Sequence, residues 1–168
     1  MEQTFEYPNL LSGTRTGKGW TRTGGIVGNG FDIGTGLELY NKKASECFLW
    51  SPGVVLHTGR TYTLSFYAAS TDNMASTDIF VLDNGGFSDD YKWIGASKLV
   101  IKPPAGGAWT TWTFTLSSHA RDGVVFNVRF DNNGTTDSKQ SLVWFRDIML
   151  CESDVPRAWA PAEGEVWP

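Results

Sequence analysis

The 168-residue chain carries 14 Lys and Arg against 18 Asp and Glu, a formal net charge of -4. The basic residues are scattered instead of forming a block or stripe, which argues against nucleic acid as the main partner. No apolar stretch approaches the roughly 18 residues a membrane span needs, and the opening MEQTFEYPNLLSG has no cationic start followed by an apolar run, so neither membrane insertion nor a secretory signal is expected. A domain of this length buries about 70% of the surface its unfolded chain exposes, enough for one substantial core without staples. Cys47 and Cys151 are too few for a disulfide framework and match no zinc spacing. They are expected as free, space-filling thiols, with a single bridge as the other reading. The 19 Gly, 8 Trp and 10 Phe, many Thr and Ser, and little amphipathic-helix pattern describe short strands joined by turns.

In chain order, the glycine-rich stretch SGTRTGKGWTRTGGIVGNGFDIGTG at 12–36 has no clear hydrophobic period and reads as long early loops with one short strand. LELYN and ECFLW follow as strands, punctuated by the SPG at 51–53. GRTYTLSFYAAS alternates, with Tyr62, Leu64 and Phe66 on one face and Thr63, Ser65 and Tyr67 on the other. DIFVLDNGG is a strand ending in a turn around Asn84, Gly85 and Gly86, and SKLVIK is a strand broken by the PPAGG at 103–107, since proline donates nothing to a ladder. WTTWTFTLSS sets Trp112, Phe114 and Leu116 against Thr111, Thr113 and Thr115. VVFNVRFDNN sets Val124, Phe126, Val128 and Phe130 against Val125, Asn127, Arg129 and Asp131, and LVWFRDIML is the closing strand.

About eight strands without intervening helical segments predict an all-β fold, an antiparallel β-sandwich or jelly roll. The expected organisation is an N-terminal arm at 1–8, a β-sandwich domain at 9–152 and an extended C-terminal tail at 153–168. The closing PRAWAPAEGEVWP cannot hold a regular ladder, so Trp159 and Trp167 either pin the tail to the domain or meet a partner.

The order of these segments resembles carbohydrate-binding modules of the cellulose- and xylan-binding jelly-roll type. SPGVVLHTGRTYTLSFYAAS resembles their strand, Pro-Gly turn and Tyr-Thr-Leu-Ser-Phe strand; WTTWTFTLSS resembles their late strand and LVWFRDIMLCE their closing strand. The variant found in bacteriophage tail and minor structural proteins is more similar still. Those domains open on Asn-Leu-Leu, matched by Asn9, Leu10 and Leu11, and end on Trp-x-Pro-x-x-Glu, matched by Trp159 and Pro161 with Glu163 one place before the expected Glu. Cys151 departs from the pattern by standing where that family has Glu. The resemblance spans 9–163 and implies fold more strongly than ligand.

Sugar binding needs flat apolar platforms for pyranose C–H faces and planar polar side chains for hydroxyls. Asn127, Arg129 and Asp131 at period two make a candidate cleft floor, and the loop GGFSDDYKW supplies Tyr91 and Trp93. Trp20 lies where similar modules place an aromatic platform. The expected ligand-binding set is therefore Trp20, Tyr67, Tyr91, Trp93, Asn127 and Arg129; the competing reading is a solvated strand face with aromatics that pack loops onto the sandwich. The resemblance also implies a possible structural Ca2+ near the first and last strands, with Glu6 and Asp147 as candidate ligands. DNNGTTD is not an EF-hand, because its glycine falls at the fourth place and Leu142 stands where the twelfth-position Glu belongs.

No catalytic residues are expected. His57 and His119 are isolated, and nucleophile-elbow, zincin and phosphate-loop patterns do not occur. A two-carboxylate glycosidase would need Asp83, Asp89, Asp90 or Asp131 to meet in space, whereas carboxylates in turns usually serve the turn. Asn133-Gly134-Thr135 matches a glycosylation pattern that carries no weight without a secretory signal. The resemblance implies a virion component (tail, baseplate, fibre or head decoration) made in the host cytoplasm. Its partners would be other virion proteins and host cell-surface polysaccharide, and it would form a homo-oligomer. The alternative is a carbohydrate-binding module of a secreted polysaccharide-degrading enzyme. A jelly-roll glycosidase is a third reading.

Overall fold

The computed structural model describes residues 5–23, 36–41, 45–82, 98–116 and 125–165. Ten strands and no helix occur among them: β1 (Thr21–Thr23), β2 (Leu37–Asn41), β3 (Cys47–Trp50), β4 (Val54–Val55), β5 (Thr61–Ser70), β6 (Thr77–Leu82), β7 (Leu99–Ile101), β8 (Ala108–Thr115), β9 (Val125–Asn132) and β10 (Ser141–Cys151). All pairings between these strands are antiparallel. One sheet runs β1-β3-β9-β6-β7 with β4 also paired to β9, and the other runs β2-β10-β5-β8. The jelly-roll sandwich expected from the strand spacing is therefore the fold. β1 is the short strand expected within 12–36, and the unexpected β4 is a two-residue continuation of the SPG turn, too brief to show a period.

Alternation places the core between the sheets. Phe126, Val128 and Phe130 of β9 face inward and are fully buried, as are Leu64 and Phe66 of β5 and Val143 and Phe145 of β10. Phe66, Phe130 and Phe145 form its centre, with ring centroids 4.6 to 5.7 Å apart and two of the three contacts edge-to-face. Such a triad adds about 0.5–1.5 kcal/mol per pair beyond burial itself. Cys47 and Cys151 are free and buried. They sit on strands of different sheets, Cys47 in β3 and Cys151 in β10, so the free-thiol reading holds.

β10 carries a bulge between Arg146 and Met149, and Asp147 within it has φ 52°. The displaced backbone is satisfied by Asn9, which is buried. Its side-chain amide donates to the Ile148 carbonyl at 2.7 Å, and its Oδ1 accepts from the Leu150 and Leu11 amides at 3.0 and 3.1 Å. Asn9 also donates its backbone N–H to the Pro161 carbonyl at 3.1 Å, and Asn9 and Ala162 form a parallel bridge. The Asn-Leu-Leu opening and the Trp-x-Pro ending thus meet over the closing strand. Leu11 enters the core and Leu10 packs against it.

The tail at 153–165 is pinned to the domain. Trp159 Nε1 donates to Thr14 Oγ1 at 3.1 Å, Glu165 Oε2 accepts from the Gly13 amide at 2.7 Å, and Thr63 Oγ1 donates to the Ser153 carbonyl at 2.8 Å. Ala160, Met149, Cys151 and Tyr7 make a small second apolar cluster. Trp167 lies outside the described residues.

Candidate functional site

The candidate face is the outer side of the larger sheet, built around β9. Because cross-strand partners share a face, the register puts Thr21, Trp50, Arg129 and Phe80 in one row, with Thr23, Phe48 and Asp131 in the next. Asp78 pairs with Val100, and Leu82 with Asn127. Phe48, Trp50, Phe80 and Leu82 take no part in the core between the sheets, which fixes their outward direction.

Arg129 is the centre of this face. Its guanidinium carbon lies 4.3 Å from the Phe48 ring centroid and 4.7 Å from that of Phe80. In plane it meets Asp131 through both oxygens, with Nε 2.9 Å from Oδ1 and Nη2 donating to Oδ2 at 3.1 Å. Two residues apart on a strand is the spacing that brings both side chains to one side. The Asp131 side chain is 0% exposed and that of Arg129 12%. Burial raises the Asp131 carboxyl, Arg129 pulls it partway back, and Glu46 and Asp78 add to the rise, for a net value of about 7. At the rim, Lys98 Nζ contacts Asp78 Oδ2 at 3.1 Å and lies 5.8 Å from the Phe80 ring.

The residues singled out in the sequence do not converge on one place. Asn127 and Arg129 share the β9 face as expected, but Asn127 donates its side-chain amide to the Ser51 carbonyl at 2.7 Å. Phe80 at 6% and Trp50 at 9% exposure show that the middle of the face is screened from solvent and only its margins are open. Trp20 is 7% exposed and belongs to the core. Its indole N–H goes to the Ser12 carbonyl at 2.8 Å and its ring lies 6.1 Å from Phe130, so it presents no open platform. Tyr67 stands on β5 and points outward from the smaller sheet, on the opposite side of the sandwich. Tyr91 and Trp93 lie outside the described residues, as do Asp83, Asp89, Asp90 and His119.

Asp147 does not fit the calcium expectation. Its Oδ1 accepts from Arg15 Nε at 3.1 Å and Nη2 at 2.8 Å, and its Oδ2 lies 3.8 Å from Arg146 Nε. Two guanidinium groups occupy the positions a cation would take. Glu6 is exposed in the N-terminal arm, and no group of three or more His, Cys, Asp or Glu suited to a metal occurs among the described residues. The bulge turned Asp147 toward Arg15, which strand alternation alone does not reveal.

Sequence reasoning missed Phe48 and Phe80, the rings that clamp Arg129. It also missed Trp109, the most exposed large hydrophobic side chain among the described residues at 61%. The phase of WTTWTFT contained the second of these: Trp109 falls in step with Thr111 and Thr113, opposite Trp112 and Phe114.

Comparison with solved structures places this fold in a class. A CBM4 carbohydrate-binding module superposes with a TM-score of 0.57 at 18% identity, over 82% of this chain and 96% of that one. The N-terminal cellulose-binding domain of Cellulomonas fimi β-1,4-glucanase C gives 0.54 at 19% identity, over 86% and 94%. The enzymatically active domain of tailspike protein 4 of bacteriophage CBA120 gives 0.54 at 15% identity, over 85% of this chain and 21% of the tailspike. No family model and no curated protein matches the sequence. The chain has the jelly-roll fold of carbohydrate-binding modules.

Proposed function

We propose that the chain is a non-catalytic carbohydrate-binding component of a bacteriophage particle, in the tail, baseplate, fibre or head decoration. Its jelly roll would adsorb to host cell-surface polysaccharide while neighbouring virion proteins and further copies of the chain hold it in place. The observation that carries the carbohydrate reading is the likeness to binding modules over more than four-fifths of the chain. The phage reading is supported by the likeness to part of a tailspike and by the Asn9-Leu10-Leu11 and Trp159-Ala160-Pro161 ends that close on each other.

In this reading, Arg129 and Asp131 are a pre-positioned polar unit behind the margins of the β9 face. Phe48 and Phe80 fix the plane of the guanidinium, so little rotamer entropy remains to be lost on binding. Lys98, half exposed beside Asp78 and Phe80, meets the solvent side. Asn127 keeps a place in the proposal as a support of that face, and Tyr91 and Trp93 stay in it as proposed sugar contacts.

A second reading, a module of a secreted polysaccharide-degrading enzyme, is favoured by the likeness to the glucanase domain. The test is a glycan and cell-wall polysaccharide array run together with light scattering. Glycan binding by a stable oligomer supports the particle component. Glycan binding by a monomer supports the enzyme module, and an oligomer that binds no glycan sinks the carbohydrate reading and leaves an architectural role.

A further inference from the structure

The outer face of the smaller sheet has two different halves. At one end, Tyr7 and Ala160 cover Met149 and Cys151 of β10. At the other end no such cover occurs among the described residues, and the register aligns Trp109 of β8, Tyr67 of β5 and Arg146 of β10 in one row. Two residues further along β10, Trp144 stands opposite Glu38 of β2.

This row is held rigidly. Tyr67 donates its hydroxyl to the Gly106 carbonyl at 2.9 Å. A Cβ on Gly107, whose φ is +81°, would fall 2.2 Å from that hydroxyl oxygen, so the missing side chain makes the seat for the phenol ring. Trp109 meets Tyr67 edge-on, with centroids 5.6 Å apart and planes at 73°. Arg146 lays its guanidinium 4.3 Å from the Tyr67 centroid. Its Nε is buried with no hydrogen-bond partner, and its ion contact to Asp147 is a long 3.8 Å. Trp144 Nε1 donates to Glu38 Oε2 at 3.0 Å.

We infer that this row is a second glycan-contacting surface: Trp109 stacks on a pyranose ring of a linear oligosaccharide, and Arg146 and Glu38 meet its hydroxyls from the neighbouring strands. The inference rests on the carbohydrate reading but uses a different face from β9. The chemistry favours a sugar over a protein partner. An indole exposes at most about 150–250 Å², against the roughly 800 Å² per partner of a standard protein interface. Beside it on the same face of β8 stands the Thr111 hydroxyl. A single fixed aromatic plate with a hydroxyl, a guanidinium and a carboxylate on neighbouring strands is the mixture a pyranose presents in mirror form. With strands about 4.8 Å apart, the row from Trp109 to Arg146 crosses two strand intervals, roughly the reach of two sugar rings.

The test is a titration of the full chain with cellohexaose, xylohexaose and β-1,4-galactotriose, followed by calorimetry and by amide and indole NMR. Trp109→Ala and Arg146→Gln are compared with Arg129→Lys on the other face. Trp109 is exposed, so its variant should keep the wild-type melting temperature. The expected result is a shifted Trp109 indole resonance together with Thr111 and Thr113 amides, and at least a tenfold loss of affinity, or of one of two sites, in Trp109→Ala. Binding that perturbs only β9 and survives both Trp109→Ala and Arg146→Gln unchanged overturns this inference and leaves the carbohydrate reading intact. Binding of no glycan by the wild type, on the titration or on the array, removes both.

Discussion

Arg15 lays its guanidinium 3.5 Å from the centre of the Trp159 ring while its Nη2 pairs with Asp147 at 2.8 Å. One side chain near the start of the chain thereby joins the tail to the bulge of the closing strand. Replacing Trp159 with Ala removes the stacking partner, the Thr14 hydrogen bond and a partly buried indole. The expected cost is about 2 kcal/mol, read as a lower urea midpoint. The tail at 153–165 should also become the first site of limited proteolysis, which a wild-type tail resists.

Asn9→Ala is expected to be worse although the residue is smaller. The substitution leaves the Ile148 carbonyl and the Leu150 amide buried without their partner, at about 1–3 kcal/mol for each group. An Asn9→Asp variant separates geometry from size, since its carboxylate can still accept from Leu150 but cannot donate to Ile148. At neutral pH its melting temperature should fall below that of Asn9→Ala, because a buried carboxylate then faces the Ile148 carbonyl, and acidification should recover part of the loss.

Asp131 sets a pH dependence whose sign can be stated. Its carboxyl is pushed up from 3.8 to about 7 by burial, so between these values the folded chain holds a proton that the unfolded chain has lost. Stability from this group is complete below about pH 4 and declines as pH rises through 7. Thermal melts should show a lower midpoint at pH 8 than at pH 5, and Asp131→Asn should flatten that slope. An unchanged slope in the variant would assign the dependence to another group.

Both thiols should be silent in the folded protein. Burial pushes Cys47 up to about 12, with the Asp131 charge adding to it, and burial also raises Cys151. Since the thiolate is the reacting species, a thiol reagent at pH 8 should label neither residue until denaturant is added, and then both. Rapid labelling of one native thiol would show that its strand opens locally.

Much of the sandwich was readable because alternation is a local signal. Val128 and Phe130 must face one way if Arg129 and Asp131 face the other, and the structure agrees. The site was less readable because it depends on partners distant in sequence. Nothing near Arg129 announces Phe48 and Phe80, which arrive from β3 and β6 through sheet order. Asp147 resembled a cation ligand until the bulge turned it toward Arg15, 132 residues away. Trp20 looked like a platform because it sits among glycines, a setting in which no period distinguishes a core residue from a surface one.

The bulge that Asn9 completes also has a consequence in time. Asn9 reaches across 139 residues to Ile148 and 141 to Leu150, and β10 itself lies between β2 and β5 in its sheet. A ribosome delivers that middle strand long after its two neighbours, so β2 and β5 must wait on the nascent polypeptide with the edges that β10 will fill still bare. Pairings of such long sequence separation form slowly, and bare strand edges invite association while they last. The yield of folded protein should therefore depend on the pace of synthesis and on chaperone supply more than on the strength of the finished sandwich.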